Sequence, residues 1–205
     1  MERTLLIFGS VGTASEIKEI VETYYEGDYE NVILVWYKKG WELDDIYASK
    51  IKNTQVFGII GFSDIEMRKE CIASLKGLNI ELRSVHHPTA DVASSAVLGS
   101  GVYLAAHTTI SSKAILSDNI IVNYNASIGH DANLSENCII LPGARISGNV
   151  ILEEGVLVGS NAFLFQGIRI GANSSIDALT YVRTNLEKDT FVSIRGNRKI
   201  NKKIN

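Results

Sequence analysis

The chain has 205 residues, a net charge of −3, and 21% charged against 45% hydrophobic residues. That length buries one large or two small cores, and the mild acidity excludes an extended nucleic-acid surface. Two cysteines, Cys71 and Cys138, supply no disulfide framework, and the apolar run 5–8 is too short to cross a membrane. A cytoplasmic protein with reduced thiols is expected, with neither nucleic acid nor membrane as a partner.

Residues 5–8 read as a strand buried on both faces, ending at Gly9. The turn Gly9-Ser10-Val11-Gly12-Thr13 follows, and residues 14–25 have helical spacing through Ile17, Ile20, Val21 and Tyr24. Strand, glycine turn and helix begin a doubly wound unit. The helix N-terminus offers free N–H groups and a positive dipole to a phosphate, which makes Ser10, Gly12 and Thr13 candidate contacts. A tight turn with no ligand is the alternative. Residues 31–36 make the second strand, which ends in Trp36-Tyr37-Lys38-Lys39 instead of the acidic residue that holds a ribose 2′-hydroxyl. This argues against NAD and is compatible with a nucleotide, particularly one lacking that hydroxyl, stacked on Trp36 or Tyr37; the same rings could simply pack at the strand end.

Residues 55–61 form a third strand, 64–75 a helix and 80–85 a fourth strand, giving a small Rossmann-like α/β domain over 1–86. The run His86-His87-Pro88-Thr89-Ala90 breaks the pattern.

From Val92 to Val182 an aliphatic residue returns at every sixth position, through Leu98, Leu104, Ile110, Leu116, Val122, Ile128 and onward. The fourth residue after each is usually small or apolar, as at Ala96, Ala114, Ala126, Cys138 and Ala144. A period of six fits neither a helix nor an alternating strand. It fits a parallel β-helix of hexapeptide repeats over 87–190, three hexads to a coil, with residues eighteen apart stacked at about 4.8 Å. Residues 191–205 form a last strand and a basic tail with Arg195, Arg198, Lys199, Lys202 and Lys203.

Stacking by eighteen sets His130 in a column with Ser94, Ser112, Gly148 and Gln166. Gly148 removes a side chain beside the imidazole and leaves a backbone N–H there. A histidine beside such an N–H suits acyl transfer: the ring takes the proton of the attacking amine or hydroxyl, and the N–H stabilises the oxyanion. Asp131 could orient the ring; a surface histidine at a coil edge is the alternative. His107 and His130 hold different positions in their hexads and do not supply a three-histidine metal site, so no metal is expected.

The hexads resemble the left-handed β-helix of bacterial hexapeptide acyltransferases. With the α/β domain in front, the whole chain is similar to nucleotide-sugar acyltransferases related to sialic acid O-acetyltransferase and the bacillosamine-pathway N-acetyltransferase. The matching segments are Gly9 to Ala14 (GSVGTA), Gly61 to Arg68, His87-Pro88-Thr89-Ala90, Asn123 to Asp131 (NYNASIGHD), Pro142-Gly143-Ala144 and Gly148-Asn149-Val150. The resemblance implies a homotrimer with active sites between adjacent β-helices and a nucleotide sugar held by the N-terminal domain. It implies no tightly bound cofactor, with acyl-CoA as co-substrate along the groove. His130 would be the general base and Asp131 its partner, while the Gly148 N–H would contact the thioester oxygen. Ser160 and Ala178 would line the pantetheine path, and Gly61 and Arg68 would belong to a second nucleotide-side loop.

Departures from the family pattern point to specificity. Thr13 replaces the turn histidine, Trp36-Tyr37 an acidic pair, and Gly196-Asn197-Arg198 the usual proline-alanine-basic ending. Ile139 replaces a second histidine near the thioester, leaving space for a larger acyl chain, and Trp36-Tyr37 suit thymine. The expected activity is acyl-CoA-dependent N-acylation of a nucleotide-linked 4-amino-4,6-dideoxy sugar, dTDP favoured, in surface polysaccharide or glycan biosynthesis, as in the anthrose-pathway N-acyltransferase. An O-acetyltransferase of sialic acid or a related sugar is one alternative. A non-catalytic β-helical protein that binds sugar nucleotides is another.

Overall fold

The computed structural model describes residues 2–9, 11–38, 54–194 and the backbone of 196–199. It divides into two compact units, Met1–Val85 and His86–Asn205.

In the first unit, β1 (Arg3–Phe8), β2 (Asn31–Val35), β3 (Gln55–Ile60) and β4 (Glu81–Leu82) form a parallel sheet in the order β2-β1-β3-β4. Helix α1 (Thr13–Tyr24) follows β1, and α2 (Ile65–Gly77) follows β3. The central strand β1 is buried from Thr4 to Phe8; Leu6 and Phe8 pack in one core cluster with Cys71 and Leu75 of α2, and a strand covered on its faces carries an unbroken apolar run. Asp64 caps α2, its carboxylate accepting the Met67 N–H at 2.8 Å. The fourth strand is shorter than its sequence suggests. His86 begins the second unit, where it joins the sheet of Tyr103–Leu104.

The second unit is a left-handed parallel β-helix of two-residue strands stacked in three sheets. Strands eighteen residues apart pair in register, as Ile121↔Ile139 and Ser127↔Arg145 do. The second residue of each strand points inward. Val122, Ile140, Val158 and Ile176 make one buried column, Ile110, Ile128, Ile146 and Leu164 another, and Leu116, Leu134, Leu152 and Ile170 the third. Ala114, Ala126, Ala132, Cys138, Ala144 and Ala162, with the larger Ile120, Val150, Val156 and Ile168 at the same place in other hexads, fill the rest of the interior.

A second period of six runs beside the aliphatic one. Every sixth residue from Gly101 to Leu179 has φ between +54° and +70°, apart from Gly167 at +76°. These residues turn the chain from one sheet to the next, and most are Asn, Gly or Asp, which adopt the left-handed conformation at least cost. His107, Lys113 and Leu179 are the exceptions. The strand Thr190–Ser193 extends one sheet, and Gly196–Lys199 pairs antiparallel with it. Arg195 and residues 200–205, including Lys202 and Lys203 of the basic tail, lie outside the described residues, as do the side chains of Arg198 and Lys199.

Candidate active site

His130 sits at the corner between the sheet of Ser127–Ile128 and that of Asn133–Leu134. Its Nδ1 lies 2.8 Å from Asp131 Oδ2, with the two side chains 53% and 45% exposed. A carboxylate only accepts hydrogen bonds, so Nδ1–H donates and the neutral ring keeps its lone pair on Nε2. Asp131 is itself a corner residue, at φ 56°. The turn of the coil therefore fixes where its carboxylate stands relative to the ring.

Gly148 takes the same corner position one coil further on, and the Asn149 N–H donates to the His130 carbonyl at 2.8 Å, joining the two coils. A Cβ at residue 148 would stand 2.5 Å from His130 Nε2, 2.7 Å from Cε1 and 2.9 Å from Cδ2. The ring thus lies across the space that any other residue would fill. Gly148 accepts the Gly167 N–H at 3.0 Å, while its own N–H donates to no acceptor among the described residues. Gly129 is equally constrained, since a Cβ there would meet the Gly148 nitrogen at 2.4 Å. The hexad period alone does not single out Gly129; its signal in the sequence is a glycine directly preceding the histidine. A base with a fixed tautomer beside an unoccupied backbone donor has the parts of a proton-accepting, oxyanion-stabilising centre.

Ser160 and Ala178 occupy a different corner. They follow Leu157–Val158 and Ser175–Ile176, in the sheet that does not contain Ser127–Ile128. They stack on each other, the Ser160 carbonyl accepting the Leu179 N–H at 2.9 Å, and Ala178 is exposed. Within one chain they lie along another edge of the prism from His130 and Gly148. Ile139 is corrected: it is fully buried on the outer side of its sheet, between Ile121 and Leu157, with no surface for a thioester to touch.

In the α/β unit the turn after β1 is shaped by glycine. Gly9 has φ 146°, and a Cβ on it would meet Ala14 Cβ at 2.7 Å; one on Gly61 would meet Ala14 Cα at 2.6 Å. Both glycines let the start of α1 approach the carboxyl ends of β1 and β3. Gly12 caps α1 at φ 63° without a side-chain hydrogen bond, and Thr13 is the first helical residue. Ser10 lies outside the described residues. Trp36, just past β2, is 71% exposed. Two nucleotide candidates are corrected. Tyr37 is a core residue, its ring stacked on Phe62 at 5.6 Å and edge-on to Phe8 at 6.3 Å. Arg68 is fully buried, its Nη1 donating to the carbonyls of Phe62 at 2.7 Å and Ile60 at 3.2 Å. It braces the end of β3 and presents no charge to solvent.

The other histidines have local roles. His87 Nδ1 accepts the Thr89 N–H at 3.1 Å, and Thr89 Oγ1 accepts the His107 N–H at 3.0 Å. Burial holds the His86 imidazole below its ordinary value. Among the described residues no group of three or more His, Cys, Asp or Glu is placed to hold a metal ion, and no helix is long and apolar enough to cross a membrane.

No protein-family profile matches the sequence, and no curated protein does. Solved structures do. The acetyltransferase domain of PglB from Neisseria gonorrhoeae FA1090, in complex with acetyl coenzyme A, superposes with a TM-score of 0.84 at 21% identity, over 98% of this chain and 100% of that one. WeeI from Acinetobacter baumannii AYE gives 0.84 at 16% identity, over 96% and 99%. A variant of the GDP-perosamine N-acetyl transferase from Caulobacter crescentus, in complex with CoA and GDP-perosamine, gives 0.81 at 21% identity, over 95% of each chain. The chain therefore shares with these structures, over nearly its whole length, one fold, a small α/β unit followed by a left-handed hexapeptide-repeat β-helix.

Proposed function

We propose that the protein is an acyl-CoA-dependent N-acyltransferase acting on the amino group of a nucleotide-linked 4-amino-4,6-dideoxy sugar. The observation that carries this reading is the His130 ring lying across Gly148, with Nδ1 held by Asp131 and Nε2 free. The attacking amine loses its proton to Nε2 as its nitrogen bonds to the thioester carbon. The carbonyl electron pair moves onto oxygen, where the Gly148 N–H stabilises it. Collapse expels the thiolate, which takes the proton from the imidazolium. The products are an amide and coenzyme A. Neighbours of this fold bind acetyl coenzyme A, or CoA with a GDP-linked amino sugar, which supports the substrate classes.

The α/β unit is assigned the nucleotide, through Gly12, Thr13, Gly61 and the exposed indole of Trp36. With Tyr37 in the core, stacking falls to Trp36 alone. Thymidine diphosphate is the proposed carrier, because no acidic residue stands directly after β2 to hold a 2′-hydroxyl. The assembly is proposed as a homotrimer, which would let Ser160 and Ala178 of one copy line the acyl-CoA path to His130 of another. The test is incubation with acetyl-CoA and dTDP-, UDP- and GDP-linked 4-amino sugars, with product mass measured. A gain of one acyl group, largest for the dTDP sugar, is expected. A higher rate on the UDP or GDP sugar overturns the thymidine assignment, and a product acylated on oxygen overturns N-acylation.

A further inference from the structure

The base points along its column in a definite direction. His130 Nε2 is the ring atom nearest the missing side chain of Gly148, so the reacting nitrogen leans toward the following coils and away from Ser112. The next residue in that direction at the same corner is Gln166. The register Ser127↔Arg145↔Phe163 carries the correspondence across, and the rung made by Asn149 N–H on His130 O repeats as Gly167 N–H on Gly148 O. Gln166 is exposed, and its neighbour Gly167 turns the corner at φ 76°. Gly148, buried with the imidazole lying across it, thus separates His130 from Gln166, one coil to either side.

Resting on the acyl-transfer reading, we propose that Gln166 is a further catalytic residue whose carboxamide N–H is the second donor to the thioester oxygen, opposite the Gly148 N–H. As the amine nitrogen bonds to the acyl carbon, the carbonyl π pair becomes an oxyanion with room for more than one donor, and a single backbone N–H leaves it half-solvated. Gln166 stands one coil beyond Gly148, and its side chain spans about one coil spacing of 4.8 Å. A neutral amide suits the position because it donates without adding a positive charge that would compete with the imidazolium for Asp131. The donor stabilises the oxyanion more than the ground-state carbonyl, so its loss falls on kcat.

The test compares wild type, Gln166→Ala, Gln166→Glu and His130→Ala by thiol release from acetyl-CoA with the amino-sugar nucleotides. Gln166→Ala should lower kcat by about 10²–10³ with KM for acetyl-CoA little changed, and Gln166→Glu at least as much, since it keeps the shape and loses the donor. A Gln166→Glu enzyme with kcat within about twofold of wild type, beside an inactive His130→Ala, overturns the role of Gln166 and leaves acyl transfer standing. Wild type that turns over no acyl-CoA with any of these sugars overturns both.

Discussion

His130 and Gly148 are related by exclusion: the imidazole occupies the space of the side chain that residue 148 lacks, a Cβ there standing 2.5 Å from Nε2. Gly148 is absent from the residues with positive φ, so alanine is acceptable to the backbone and the clash falls on the ring. Gly148→Ala should fold like wild type and lose about 10²-fold in kcat as the ring is pushed aside, because a misplacement of about 1 Å costs that much. Steady-state kinetics beside a melting curve checks this, and wild-type kcat would show that the ring position is not the one used.

Asp131 has two duties that substitution separates. Asparagine fills the same corner position at Asn125, Asn137 and Asn149, so Asp131→Asn should leave stability unchanged while removing the carboxylate that fixes the tautomer. A loss of about 10- to 10²-fold in kcat is expected, part of what a general base supplies. Asp131→Ala should lose activity and also about 1 kcal/mol of stability, since alanine bears the left-handed strain. Equal melting points for the two variants would contradict the second duty.

Leu179 is a corner residue at φ 60° and 66% exposed, where other coils use Asn or Gly. Replacing it with glycine should relieve about 1 kcal/mol of backbone strain and give up little burial. Thermal or denaturant unfolding should show Leu179→Gly to be more stable than wild type; a lower midpoint would mean that the leucine is packed against something in the assembled protein.

Both thiols are buried, and burial pushes Cys71 up to about 12. An acid raised this far stays protonated at pH 8, so its thiolate fraction there is negligible. Native protein should react with neither equivalent of an aromatic disulfide reagent at pH 8, and denatured protein with both. Rapid labelling of the native state at Cys71 would contradict its burial.

The β-helix was legible because its period is a packing constraint: an inward position recurs every six residues and admits only aliphatic side chains. The corner series was equally present in the chain, in Asn119, Asn125, Asp131, Asn137 and their successors, but histidine, lysine and leucine at three corners blur it. Burial was the harder question. Tyr37 and Arg68 carry chemistry suited to a nucleotide, and nothing local to either says that one is stacked on Phe62 and the other folded onto the carbonyls of Ile60 and Phe62. Ile139 shows the same limit, because an outward strand position says nothing about what covers that sheet.

In the proposed reaction His130 accepts the proton of an amine attacking acyl-CoA. The most direct test of this role is thiol release from acetyl-CoA with a dTDP-, UDP- or GDP-linked 4-amino-4,6-dideoxy sugar, comparing wild type with His130→Ala. Wild type should release thiol in a sugar-dependent way, and kcat should fall by about 10²–10⁴ in the variant. Sugar-dependent release that is the same in both proteins would contradict the role.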